Sequence, residues 1–469
     1  MASEKLPYKP NPKAPRAVLP VLDPQRRAST PEEVALGFTP EQALAEAQRC
    51  LQCEKPKCVE ACPLHIDIKR FIRRLAEGDA AGALDVISEE SPFPGVCGRV
   101  CQHELFCEDA CVTGKRWEPV AIGSLERFAA DHARLRAQEL SPNGARRPTG
   151  PKVALVGSGP ASLIAAYDLV RWNYRVTIFE ALHKLGGVLA YGIPNFRLPR
   201  EILAEEIARL QNLGVEFVPD FIVGKTATLE DLFEEGFEAV FVGTGAGLPY
   251  LMGIPGENLT GVYTANEFLT RINLMEAFKF PESPTPVRVG KRTIVVGGGN
   301  SAMDAARWAR RFGSETTVLF RRGRAEMRAR IEEIEHAEEE QVHFHFLAAP
   351  VALIGDEKFH VKEMECIRME LGEPDSSGRP APVPIEGSNF RIPCDTVVAA
   401  IGQAPNPTLQ RATPQLLTKR GKIVINEEGE TSIPRVFAGG DVVRGGSTVI
   451  LAMKDGRAAA AAIHKALSS

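Results

Sequence analysis

The sequence predicts an α/β protein in which an N-terminal α-helical domain precedes two Rossmann-like nucleotide-binding units. Three observations predict it. Eight of the ten cysteines fall between Cys50 and Cys111. From Lys152 onward, short β-branched runs alternate with amphipathic helical runs, the pattern of parallel sheets flanked by helices. Two of those strands run directly into glycine-rich turns, at Gly157 and Gly297, 140 residues apart.

The bulk properties agree. A chain of 469 residues exceeds one compact core and calls for about two to four domains. At 44% hydrophobic and 25% charged it has the composition of an ordinary globular protein. A net charge of −4 provides no basic field of the kind nucleic-acid binding needs. No run of eighteen apolar residues and no apolar signal core appear, so the expectation is a cytoplasmic protein with no membrane partner. In a reducing compartment, clustered cysteines bind metal or carry redox chemistry more often than they form disulfides. Cys366 and Cys394, far from the cluster, read as buried filler.

Along the chain, the first thirty residues are rich in Pro, Lys and Arg and form an extended arm that wraps a neighbour or stays mobile. Thr39-Pro40 opens a helix that leads into the first cysteines, as an N-cap followed by proline at the first helical position. Helices follow over about 67–77, after Gly78, and over 122–138, ahead of a Pro/Gly linker at 141–150. Predicted strands are KVALVG, RVTIFE, AVFVGTG, RTIVVGGG, TTVLFRR, TVVAAIG and RVFAGGD. The last segment ends in a small-residue helix that returns to the first nucleotide unit. The expected domains are 1–149, 150–286, 287–404 and 405–469, the third starting somewhere between 250 and 290.

The cysteines are spaced Cys50-x2-Cys53-x4-Cys58-x3-Cys62-Pro63 and Cys97-x3-Cys101-x5-Cys107-x3-Cys111. Eight thiolates suffice for two [4Fe-4S] clusters, and a proline after the last cysteine of a run is a ferredoxin-like feature. A pair of zinc sites would also accept four cysteines each, but usually shows paired C-x2-C units.

In KVALVGSGPASL a strand meets Gly157, Gly159 and Ser162 and opens a helix through Pro160 and Ala161, and Glu180 closes the next strand. The glycines permit a tight turn and close approach to a pyrophosphate at the helix N-terminus, and the acid reaches ribose hydroxyls. The second unit repeats this with Gly297, Gly298, Gly299, Asn300, Ser301 and Ala302. Its second strand ends in Arg321 and Arg322 in place of the acid, which suits the 2'-phosphate of NADPH.

With these motifs in hand, the chain resembles the small (beta) subunit of NADPH-dependent glutamate synthase over nearly its whole length. The large subunit of NADH-dependent ferredoxin:NADP oxidoreductase and the N-terminal half of dihydropyrimidine dehydrogenase are similar too. The matching motifs are CLQCEKPKCVEACP, VCGRVCQHELFCEDAC, EPVAIGSLERF, VALVGSGPASL, GGVLAYGIPNFRLP, VVGGGNSAMD, FRRGRAEM, AAIGQAPN and FAGGDVVRG. The resemblance implies two [4Fe-4S] clusters with crossed ligands: Cys50, Cys53, Cys58 and Cys111 for one, and Cys62, Cys101, Cys107 and Glu126 for the other. Cys97 in place of Glu126 is the rival. For FAD it implies Gly157, Gly159, Glu180, Gly186, Gly187, Gly440, Asp441 and Thr448, with Gly445 and Gly446 near the ring. Relatives commonly have proline where this chain has Arg328, so the loop conformation there is open.

The implied activity is hydride transfer from NADPH to FAD and onward electron transfer through the clusters, with no side chain assigned as catalytic. The expected partner is a large catalytic or flavin-containing electron-transfer subunit, first of all one that makes L-glutamate. An electron-bifurcating transhydrogenase, a pyrimidine dehydrogenase reductase and a non-enzymatic iron–sulfur carrier are the alternatives.

Overall fold

The computed structural model describes residues 8–137, 147–375 and 378–468. The first seven residues of the arm, Gln138 and most of the predicted linker lie outside them. Thr39 starts the helix Pro40–Ala47 with a reciprocal cap: its hydroxyl accepts from the Gln42 N–H while the Gln42 side chain accepts from the Thr39 N–H. Asp67 and Asp79 cap Ile68–Ala76 and Ala80–Glu90 one way only, each carboxylate accepting from a first-turn N–H. The helices Pro94–Val100 and Ile122–Ala137 belong to the same domain. They approach so closely at Gly98 that a Cβ there would lie 2.6 Å from the Arg127 backbone nitrogen.

The arm folds back on its own chain. The Asn11 N–H donates to Gln48 O at 2.7 Å and the Val34 N–H to Phe196 O at 3.0 Å. Buried Arg49 gathers the carbonyls of Ala14, Glu118 and Pro119 and the carboxylate of Glu46. Arg49 and the helix edges leave polar groups that the arm satisfies; proline and charge content reveal extension, not what an arm lies against.

Each predicted strand forms. The first parallel sheet runs, in order, Val436–Ala438, Phe237–Val242, Lys152–Val156, Arg175–Phe179 and Glu216–Val218, so the C-terminal segment does return to the first unit. The second runs Val262–Thr264, Thr396–Ala399, Arg292–Val296, Glu315–Phe320 and His343–Phe346, also parallel. Its edge strand lies ahead of residue 287, because Val262–Thr264 pairs with Thr396–Ala399. An antiparallel ribbon over 348–393 hangs from this unit. Leu248–Pro249 pairs with Gln403–Ala404 where the chain crosses between units.

One continuous core unites the helical domain with the first sheet: Phe71, Val96 and Leu125 share it with Leu163, Ile450 and Met453. The C-terminal helix Val449–Ser468 lies so tightly on Pro160–Arg171 that a Cβ on Gly456 would fall 1.9 Å from Ala161 O. Arg457 extends the seam, its guanidinium reaching Asp168 of the first unit and Glu90 of the helical domain. Among the described residues no helix is long and apolar enough to cross a membrane.

Candidate active site

Folding sorts the cysteines by place, not by run. Cys62 leaves the first run and joins Cys97, Cys101, Cys107, His103 and Glu126 around one cavity. Ile450, from the C-terminal helix, lines the same cavity, so this inner site abuts the first nucleotide unit. Its four cysteines are buried, and Glu126 is only 5% exposed. Burial pushes the Cys97, Cys101 and Cys107 thiols well above their usual range, and the nearby Glu126 carboxylate and neighbouring thiols add to the effect.

Glu126, expected as a ligand, is buried in the cavity. Its Oε1 has no hydrogen-bond partner, nor has His103 Nε2, which lies 3.6 Å from the other carboxylate oxygen. Two orphaned buried polar atoms in a thiol-lined cavity mark a place for a bound group that would partner them. Gly123 makes room for His103, since a Cβ there would sit 2.3 Å from Nδ1. His103 escaped the sequence reading; its place inside CQHELFC was the available signal. Cys97 also lines the cavity, and its sulfur lies 3.9 Å from Met453 Sδ and 4.0 Å from the Ser91 hydroxyl.

The other four, Cys50, Cys53, Cys58 and Cys111, form an outer site and are only partly buried. Cys58 is pushed up to about 12 by burial and then by Cys50, Cys111 and Cys53, so these thiols sense one another as a group. Gln52, held at φ +51°, points both its backbone N–H and its side-chain amide at Cys50 Sγ, at 3.5 and 3.4 Å. Tyr8 of the arm donates its hydroxyl to Cys50 O, with Arg73 over its ring at 4.8 Å.

All ten cysteines are free. Among the described residues no three His, Cys, Asp or Glu side chains close on a single-ion position.

The first glycine turn is built for a dinucleotide. Gly157 has φ +92°, and a Cβ on it would strike Gly243 O at 2.8 Å, whereas one on Gly159 would reach Gly243 O only at an ordinary 3.9 Å. Gly187, at φ +54°, passes so near that its Cβ would lie 2.9 Å from Gly159 Cα. Buried Glu180 accepts from the Ser158 N–H and hydroxyl, at 2.8 and 2.6 Å, and from the Leu182 N–H. The Ser158 hydroxyl in turn accepts from the Gly186 N–H. Gly440 lies against Ala161 and donates to Asp455, and Asp441 accepts from Ser447. Burial pushes the Asp441 carboxyl up. Thr448 accepts from the Leu451 N–H at the start of the last helix. Tyr191 was missed; burial beside Asp441 and Glu180 raises it to about 12.

At the second turn a Cβ on Gly297 would meet Ala400 O at 2.3 Å and one on Gly298 the Phe320 ring at 2.7 Å, while Gly299 is open. Asn300 and Ser301 begin the helix behind it. Arg321 is exposed. Arg322 is buried instead, donating to Pro380 O at 2.8 Å and pairing with Asp375 on the ribbon. Arg379 enters the same cluster, its guanidinium disfavoured by burial and by Arg328, Arg322 and Arg321. The ribbon was not predicted, so Arg379 had no reason to be considered.

Comparison with known proteins agrees with this architecture. Residues 27–138 match the family model described as dihydropyrimidine dehydrogenase domain II, 4Fe-4S cluster, and residues 151–456 match pyridine nucleotide-disulphide oxidoreductase. The chain is 42% identical over 434 residues to the beta subunit of the NADP(+)-dependent formate dehydrogenase of Moorella thermoacetica, covering 87% of this chain and 60% of that one. It is 34% identical over 437 residues to the small chain of the glutamate synthase [NADPH] of Escherichia coli, covering 91% and 92%. Among solved structures, Mycobacterium tuberculosis FprA in complex with NADPH aligns with a TM-score of 0.58 at 21% identity, over 68% of this chain and 85% of that one, a likeness of fold.

Proposed function

We propose, on the premise that this chain belongs to the family of glutamate synthase small chains and related beta subunits, that it takes electrons from NADPH and delivers them to a larger partner subunit. The chain is an NADPH-dependent flavin and iron–sulfur oxidoreductase, with FAD, NADPH and two [4Fe-4S] clusters as cofactors. When bound, FAD accepts the hydride of NADPH as an electron pair that leaves as single electrons through the clusters.

The chain's own residues hold and order these groups. Gly157, Gly159, Pro160 and Ala161 admit the FAD pyrophosphate, Glu180 faces its ribose, and Gly186, Gly187, Gly440, Asp441 and Thr448 line the rest of its path. Gly297 to Ser301 receive the NADPH pyrophosphate, and exposed Arg321, with Arg328 and Arg379 beside it, meets the 2'-phosphate; Arg322 anchors the ribbon that carries Arg379. Cys50, Cys53, Cys58 and Cys111 hold the outer cluster. Cys62, Cys101, Cys107 and Glu126 hold the inner one, with Cys97, whose sulfur also contacts Ser91 and Met453, lining the same cavity. No side chain acts as acid or nucleophile.

One observation carries the reading: the inner cysteine cavity is walled by the C-terminal helix of the FAD unit, and the outer thiols are half exposed. That order runs from the flavin to the surface, where a partner would dock. The first partner we infer is a glutamate synthase large subunit, with L-glutamate as product. A formate-oxidising partner is the second, favoured by the 42% identity to the formate dehydrogenase subunit. The free thiols support a cytoplasmic location.

The test is anaerobic stopped-flow reduction by NADPH and, separately, NADH, with iron analysis and EPR. Flavin bleaching by NADPH with about eight irons per chain is expected. No bleaching by either nucleotide, or zinc in place of iron, would sink the reading.

A further inference from the structure

The loop after Glu315–Phe320 lies between the second glycine turn and the inner cysteine site and is bonded to both. On one side, Gly298 O accepts from the N–H groups of Arg328 and Ala329, at 2.9 and 3.2 Å. Asn300 Oδ1 accepts from the Arg330 N–H at 3.0 Å. On the other side, the Arg330 guanidinium donates to Arg99 O at 3.1 Å and to Glu104 at 3.1 Å, with Glu332 at 3.2 Å. Gln102 Nε2 donates to Arg328 O at 3.3 Å. Arg99, Gln102 and Glu104 surround Cys101 in sequence, so the same few residues brace the nucleotide turn and the chain that presents an inner-site thiol.

The ties are stiff because the frame around them is fixed. Arg197 of the first unit pairs with Asp304, on the helix that follows the glycine turn, at 2.8 Å and with Glu333 at 3.0 Å. Arg307 pairs with Glu333 at 2.5 Å and with Glu340 at 2.6 Å, all of these groups buried. With the second unit held in this way, residues 99–104 have direct hydrogen bonds to the loop that also bonds the glycine turn.

We propose that residues 328–330 couple nucleotide occupancy to the inner cluster, with Arg330 as the positioning residue, so that bound NADP+ and the electron on that cluster disfavour each other. This rests on the cofactor assignment made under Proposed function. The redox step is one electron added to the inner cluster, supplied by the flavin or, in the test, by dithionite through mediators; no bond breaks and no proton moves. By linkage, if NADP+ binds more weakly once the cluster is reduced, NADP+ lowers the potential of the cluster by the same free energy.

The experiment is an anaerobic EPR redox titration of the holoprotein with and without NADP+, with NADP+ binding to the oxidised protein measured on the same preparations. Wild type is expected to show about a tenfold difference in NADP+ affinity between the two oxidation states, a shift of about 59 mV. Arg330→Gln is expected to lower the potential without nucleotide and to cut the nucleotide-dependent shift below about twofold. Arg330→Lys keeps the charge but not the forked contact to Arg99 O and Glu104; it retains the starting potential and loses most of the shift. Gln102→Ala, which removes a tie and no charge, reduces the shift to an intermediate value and serves if Arg330→Gln does not fold. A missing inner-cluster signal or missing NADP+ binding overturns the cofactor assignment and this proposal with it. Both present, with no shift in wild type or an undiminished shift in Arg330→Gln, overturns the coupling alone.

Discussion

The inner and outer cysteine sites draw on the same two runs of sequence, yet they sit in opposite surroundings. The outer thiols are half exposed and covered by a tyrosine from the arm. The inner ones are buried among Ile66, Ile68, Phe71 and Ile450, with a carboxylate and a histidine facing them. Burial and a carboxylate ligand both bear on cluster potential, and exposure governs which site another protein can approach. The crossing of Cys62 and Cys111 between runs makes this possible: neither site can form unless both runs have folded together.

The largest effect should come from breaking the inner site. Cys101→Ser is expected to remove about four of eight irons and to leave NADPH bleaching of the flavin intact while the outer cluster stays oxidised. Iron analysis and EPR after NADPH reduction check this; an outer cluster that is still reduced at the wild-type rate would contradict an inner relay. Cys53→Ser, the outer counterpart, should also cost about four irons but leave the inner cluster reducible by NADPH. Together the two variants state the order of transfer.

How far this contrast could be read in advance depends on which forces set it. Strands such as Lys152–Val156 and Arg292–Val296 announce themselves because a buried parallel strand must be a run of apolar β-branched residues ending in a turn. Turn glycines are equally plain, since only glycine tolerates the φ and close approach found at Gly157 and Gly297. Cysteine spacing announces clusters, but the division into inner and outer sets is tertiary, and only resemblance to a family supplied it. The ribbon over 348–393 was missed because its strands include PAPVP and FRIP, which lack clean alternation and carry proline at edge positions. Arg322 looked like a phosphate ligand until that ribbon placed Asp375 beside it. Nothing local in the arm says that it docks on its own chain.

The supports of the two sites can be separated next. Glu206, on Arg200–Asn212 of the first unit, is fully buried, and its Oε1 accepts from the Gly95 N–H at 2.6 Å at the start of the helix that carries Cys97 and Cys101. Burial raises this carboxyl to about 8, far above the ordinary 4.5. The sign follows from proton counting. Between pH 4.5 and about 8 the folded protein holds a proton that the unfolded chain has released, so the stabilisation present below pH 4.5 is lost progressively as pH rises through that window. Glu206→Gln keeps an acceptor for Gly95 and cannot ionise. It is expected to flatten this slope and raise stability at pH 7 by about 1–3 kcal/mol, measured by urea unfolding of the holoprotein across the window. An unchanged slope would mean that Glu206 ionises freely in the folded state.

The smallest effect is expected at the outer support. Tyr8→Phe deletes the hydroxyl donated to Cys50 O and leaves the ring under Arg73. The bond is only part-buried, so water can take its place, and the cost should be below about 1 kcal/mol. The consequence to look for is therefore in the cluster and not in the fold. Tyr8 covers one side of the outer thiols, so its loss should hasten oxidative loss of the outer cluster in air about twofold to fivefold, with the inner EPR signal unchanged. If both clusters decayed faster together, the two sites would share one route of solvent entry. The contrast between a shielded relay and an exposed outlet would then have to be abandoned.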